Sequence, residues 1–149
     1  MNFKRKLLAL VIVCGLLINL VIVPGAIALG SSPLSGLVTL KNLAKSSTPY
    51  QEAIANGNTT LIEFYAEWCG TCQSMASTVE NLENQYGDQV NLVMLDIDDP
   101  QWDDLGQEYE VTGIPQYNFL NADEQKIESF IGRVPQSILA QAFDRLLNN

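Results

Sequence analysis

The chain has 149 residues, 47% of them apolar and 17% charged, an ordinary globular balance that excludes intrinsic disorder and collagen-like repeats. Lys4, Arg5 and Lys6 precede a long apolar run, so the remaining residues, about 120, carry Lys41, Lys45, Lys126, Arg133 and Arg145 against all seventeen acids, a net of −12. Such a surface repels phosphate backbones, which argues against nucleic acid as a partner and for a basic protein or peptide segment. There is no histidine, which removes Ser-His-Asp and Cys-His nucleophile schemes and most catalytic zinc sites.

Residues 1–6 form a basic flank, and Leu7 to Leu29 a run of 23 residues that is apolar apart from Cys14, Gly15, Asn19 and the Pro24-Gly25 pair. At about 1.5 Å per residue, a helix of that length spans a bilayer core of about 30 Å. The basic flank, with no further base before Lys41, predicts the amino terminus inside and the domain translocated. Ala26-Ile27-Ala28 matches a small-residue cleavage site, so a removable signal peptide competes with a retained single-pass anchor. The run exceeds the usual signal core of about 7–15 residues, which favours the anchor. Residues 30–47, rich in Ser, Gly, Leu and Lys without a sustained period, read as a tether to a domain over 48–149.

Within that domain Thr48-Pro49 and Gly57 bracket a short helix over 50–56. Asn58-Thr59-Thr60 reads as a turn, although it matches a glycosylation acceptor. Thr60 to Ala66 is nearly continuous in apolar residues, as a strand buried on both faces requires, with Glu63 standing out inside it. Met75, Val79, Leu82 and Tyr86 recur at helical spacing from about Cys69 to Tyr86, before Gly87. Val90 to Asp96 predicts a second strand parallel to the first, and Gln101 to Tyr109 a polar, exposed helix. Gln116–Leu120 and Lys126–Ile131 predict an antiparallel hairpin turning at residues 121–124, and residues 135–147 a closing amphipathic helix. The fold class is α/β, a mixed central sheet covered by helices.

The domain holds one cysteine pair, Cys69 and Cys72, in Trp68-Cys69-Gly70-Thr71-Cys72. One pair is no disulfide framework, and zinc would need two further soft ligands that the domain lacks, so no metal is expected. Two cysteines three apart at a helix start can bridge reversibly, and the first sits where unpaired N–H groups and the helix dipole favour an anion. Cys69 is therefore expected to be an exposed thiol of lowered pKa, and Cys72, one turn inward, to be more buried. A static disulfide is the alternative, though so tight a loop stabilises little. The acidic run 96–104 lacks the central Gly and terminal Glu of an EF-hand, and reads as a solvated loop with a helix cap.

The run Phe64-Tyr65-Ala66-Glu67-Trp68-Cys69-Gly70-Thr71-Cys72, with Gly113-Ile114-Pro115 downstream, resembles the thioredoxin family over about 49–147. The amino-terminal anchor, Glu63 and the stretch Val93-Met94-Leu95-Asp96-Ile97-Asp98 resemble more narrowly the membrane-anchored thioredoxin-like proteins of cyanobacterial and chloroplast thylakoids. The resemblance implies a thioredoxin fold, no cofactor beyond the Cys69–Cys72 disulfide, and a substrate site of Trp68, Gly70, Thr71, Ile114, Pro115 and Gly132. In it Pro115 would be a cis-proline facing the cysteines, Ile114 would pair with an incoming substrate strand, Trp68 would shield the cysteines and Gly132 would admit substrate closely. The family's buried aspartate corresponds to Glu63, a candidate proton relay for the resolving thiol, and its partner lysine to Met94. Thr71 stands where proline is usual between the cysteines, so the reduction potential does not carry over.

These readings make the chain a membrane-anchored thiol–disulfide oxidoreductase that reduces protein disulfides. The resemblance extends this to the thylakoid lumen, with electrons from a CcdA-type membrane carrier and apocytochrome c as one destination. A disulfide-donating oxidase, or a non-catalytic peptide-binding or chaperone module of the same fold, are the alternatives.

Overall fold

The computed structural model describes residues 33–148. The basic flank and the 7–29 run lie outside them, and among the described residues no helix is long and apolar enough to cross a membrane. The elements, in chain order, are α1 (Pro33–Ser46), α2 (Tyr50–Ala55), β1 (Thr59–Tyr65), α3 (Gly70–Tyr86), β2 (Val90–Asp96), a 3-10 turn (Pro100–Trp102), α4 (Asp103–Glu108), β3 (Gln116–Leu120), β4 (Lys126–Ile131) and α5 (Gln136–Leu147). The sheet order is β2-β1-β3-β4. β1 runs parallel to β2 and antiparallel to β3, which pairs antiparallel with β4. The mixed sheet and the interior place of β1 match the sequence reading; β2, which has the same apolar look, lies at an edge of the sheet, and β3 is the second interior strand.

β1 is buried at every position, which explains its unbroken apolar run. Its alternating side chains divide the core in two. Leu61 and Tyr65 join Leu40 and Leu43 of α1, Cys72, Met75 and Val79 of α3 and Phe143 of α5 on one face. Ile62 and Phe64 join Ala53, Leu95 and Tyr109 beneath α2 and α4 on the other. Phe143 locks α5 onto the first face, with ring centroids 4.9 Å from both Tyr86 and Phe119. The two ends of β1 thus have different duties: its start is core, and its end delivers the chain to Cys69.

The tether expected over 30–47 is corrected from Pro33 onward, because Pro33–Ser46 is a helix whose Leu40 and Leu43 are 0% and 4% exposed. Gly36, which looks like linker composition, is a contact residue. A Cβ there would collide with the backbone carbonyl oxygen of Gln73 on α3, so glycine is what lets α1 lie directly against the helix that starts at the cysteine pair. Lys41 adds a 2.9 Å ion pair to Glu67, just before that helix. The short helix at 50–55 also differs in detail: Pro49 occupies its cap position, with no side-chain cap from Thr48. Asn58 lies exposed in the turn before β1, as expected.

A buried Leu in an integrated helix has a cost when truncated, whereas one in a tether has none. Leu40→Ala is expected to lower unfolding free energy by about 2–4 kcal/mol, and Gly36→Ala by about 1–3 kcal/mol through overpacking. Urea denaturation checks both; unchanged midpoints would return 33–46 to the status of a linker.

Candidate active site

Cys69 is the N-cap of α3, and its Sγ accepts the backbone N–H of Cys72 at 3.1 Å. This is the position at which a helix leaves donors unpaired and its dipole is most favourable to negative charge. The turn is fixed on either side by Cys69 N–H to Ala66 carbonyl at 3.1 Å and Gln73 N–H to Cys69 carbonyl at 3.0 Å. Cys69 and Cys72 form a disulfide with their Cα atoms 5.2 Å apart. Cys72 is fully buried, as expected, but Cys69 is 6% exposed rather than open. The reason is the 113–115 loop, far away in sequence, which closes over it: the Ile114 carbonyl oxygen lies 3.7 Å from Cys69 Sγ.

Ile114–Pro115 is a cis peptide, as the resemblance implies. Pro115 is buried, and its carbonyl oxygen accepts the N–H of Gly132 at 2.7 Å. Gly132 has φ of +81°, in the left-handed region that favours glycine, so it serves this turn as well as any substrate. Gly70 is exposed and Thr71 half-buried on the first turn of α3. Trp68 is 65% exposed, and its indole N–H donates to Asp98 Oδ2 at 2.7 Å. The structure therefore brings together Trp68, Cys69, Gly70, Thr71, Cys72, Ile114, Pro115 and Gly132.

Asp98 was missed as a site residue. Its signals in the sequence were membership of the acidic run 96–104 and of the stretch 93–98, and nothing local announces a bond to a tryptophan thirty residues earlier. The rest of that run works as expected: Asp99 caps the 3-10 turn by accepting Gln101 N–H at 3.0 Å. Among the described residues no acidic or cysteine group is arranged to hold a metal ion. Arg133, also missed, donates to Ser74 Oγ at 2.9 Å beside the first turn of α3.

Glu63 is 0% exposed at the centre of β1, paired in register with Met94 on β2 and Tyr117 on β3. A solvent-facing edge position is ruled out. Alternation places it on the Leu61–Tyr65 face, the face that packs against Cys72. Neither carboxyl oxygen, nor the Tyr117 hydroxyl, has a hydrogen-bond partner among the described residues. Burial alone pushes the Glu63 carboxyl from 4.5 up to about 8, and burial, with the Glu63 charge second, pushes the Tyr117 phenol well above its usual value. Glu63 is thus a buried acid that exchanges its proton near neutrality.

A buried cysteine pair at a helix mouth, faced by a cis-proline and backed by a buried carboxyl, is the constellation of a dithiol oxidoreductase. The family model for thioredoxin matches residues 41–145, and the chain belongs to the thioredoxin family as a thiol–disulfide oxidoreductase. It is 41% identical over 138 residues to the thiol:disulfide interchange protein TxlA of Synechococcus elongatus, covering 93% of this chain and 70% of that protein. It is 44% identical over 101 residues to the chloroplastic thioredoxin-like protein HCF164 of Oryza sativa, covering 68% of this chain but spanning only 38% of that relative. Among solved structures, mitochondrial thioredoxin 3 of Saccharomyces cerevisiae in its oxidized form aligns with TM-score 0.53 at 32% identity, covering 61% of this chain and 82% of that one.

The raised acid has a consequence for stability. Below pH 4.5 the carboxyl is protonated folded and unfolded, so it exacts no penalty; between 4.5 and about 8 only the unfolded chain ionises, and stability falls as pH rises. The slope approaches about 1.4 kcal/mol per pH unit and levels off above pH 8. Glu63→Gln is expected to remove that slope in urea titrations of the oxidised protein from pH 5 to 8. An identical slope in the variant would mean that Glu63 is ionised in the folded chain throughout.

Proposed function

We propose that this protein reduces disulfides of other proteins on the non-cytoplasmic side of a membrane to which residues 7–29 anchor it. The observation that carries the redox step is the Cys69 sulfur held against the first N–H groups of α3 and beside the Ile114–Pro115 turn. In the dithiol form, Cys69 thiolate attacks one sulfur of a target disulfide, forming a mixed disulfide and expelling one target thiolate. Cys72 then gives up its proton and attacks Cys69, expelling the second target thiolate and leaving the Cys69–Cys72 disulfide. Two electrons pass to the target, and a dithiol donor must return them.

Glu63 is assigned the proton relay for Cys72, acting through water, because it lies on the same face of the sheet and titrates near neutrality. The target's extended chain is assigned to the backbone of Ile114, with Pro115 contributing no competing N–H and Trp68, Gly70, Thr71 and Gly132 forming the rim. The basic flank at residues 1–6 supports translocation of the domain. Similarity to a chloroplastic thioredoxin-like protein supports a thylakoid setting; within this reading the donor is a CcdA-type carrier and apocytochrome c one target, as the family resemblance implies.

Blocking the resolving step should trap the partners. Cys72→Ser in membranes is expected to accumulate mixed disulfides through Cys69 that run as reducible high-mass bands, while Cys69→Ser accumulates none. Equal or absent bands for the two variants would contradict turnover through this pair and favour a peptide-binding module.

A further inference from the structure

The face of the sheet away from Glu63 carries a groove that the redox chemistry does not use. It encloses about 440 Å³, with Phe64, Ile97, Trp102 and Val111 as its apolar surfaces and Asp103 and Glu110 at its rim. Phe64 is 1% exposed and forms the floor, while Ile97 keeps 36% of its surface. Both walls run into the redox site. Ile97 is tied to the end of β1 by its N–H to the Tyr65 carbonyl at 2.9 Å and adjoins Asp98, which holds Trp68. Thr112, on the other wall, leads directly into Gly113-Ile114-Pro115.

The charge around the groove is predominantly acidic, with Lys126 beside Glu110 as the described exception. No lysine or arginine occurs between Lys45 and Lys126, a span with fifteen acids, seven of them between Asp96 and Glu110. Glu110 stands at a positive φ of 54° with its side chain 84% exposed, and its only described countercharge is Lys126 at 3.9 Å. An apolar slot inside an acidic rim complements a large apolar side chain bracketed by cations, because the slot takes the hydrophobe while the carboxylates meet the flanking charges.

We infer that this groove is a docking site for target proteins, and that it binds a segment in which one large aliphatic or aromatic residue is flanked by lysine or arginine while the target's cysteine engages Cys69. The description of that segment as part of a redox target rests on the reductase reading; the groove's preference for it does not.

Binding is therefore measured without redox chemistry. The full chain in neutral detergent is titrated into a dye-labelled, cysteine-free Gly-Ser-Lys-Leu-Lys-Ser-Gly peptide, and into counterparts with Gly for Leu or Glu for both Lys, reading anisotropy at low salt. The Lys-Leu-Lys peptide is expected to bind at least about fivefold more tightly than either counterpart, with the margin shrinking as salt rises. Gly106→Phe places a ring in the groove from a position whose Cβ meets nothing within 4 Å, and is expected to erase the margin. The paired change Asp103→Asn, Glu110→Gln should erase it too, while Glu80→Gln, Asp88→Asn, which removes the same charge away from the groove, should leave it. A margin that survives Gly106→Phe, or that the distant pair removes equally, overturns the inference in favour of attraction by net charge alone. Acceleration by the same chain of insulin disulfide reduction with dithiothreitol as the electron donor is read separately: no acceleration over dithiothreitol alone would overturn the reductase reading and leave the binding comparison standing.

Discussion

The 3.1 Å bond from the Cys72 N–H to the Cys69 sulfur is the contact on which the rest of the molecule depends. It exists because β1 ends at Tyr65, the chain turns through Ala66 to Trp68, and α3 begins at Gly70 with Cys69 as its cap. One geometry then does three things. It brings the second sulfur within bridging distance, it sets the first against unpaired donors and the positive end of a seventeen-residue helix, and it aims that sulfur at the turn before Pro115. A thiolate is favoured there and a disulfide is also accommodated, which is what a reversible redox pair requires.

Around that contact the two faces of the sheet take separate work. The Leu61–Glu63–Tyr65 face is apolar apart from one buried acid, and a carboxyl without a nearby cation holds its proton up to about pH 8. The Ile62–Phe64 face is covered more sparsely by two six-residue helices, and beside α4 it leaves the acid-rimmed groove. Chemistry and recognition are thus separated by the thickness of one strand, with Cys69 at the end both share.

Val90–Asp96 and Gln116–Leu120 were legible because strands buried along their length carry almost no charge, and the largely exposed Lys126–Ile131 because the 121–124 turn sets it off; all three stand at the expected bounds. The cysteine pair was legible because its spacing and its place after a strand are both local. Helix α1 was not, because Gly36 and its serines look like linker until Gln73 is known to lie against Gly36. Nor was the burial of Cys69, or the Trp68–Asp98 bond, since each depends on residues thirty or more positions away. Glu63 was conspicuous as a charge within an apolar run, but only the register placing Met94 and Tyr117 beside it shows how completely it is enclosed.

The rate at which iodoacetamide alkylates Cys69 in the reduced protein, followed from pH 5 to 10 with Cys72 replaced by serine, tests the central assignment most directly. Half-maximal reactivity is expected clearly below pH 8.5, the value for an unperturbed thiol. A sulfur that gains reactivity only at or above that pH would show that the helix mouth confers no acidity on Cys69, and would contradict the account at its root.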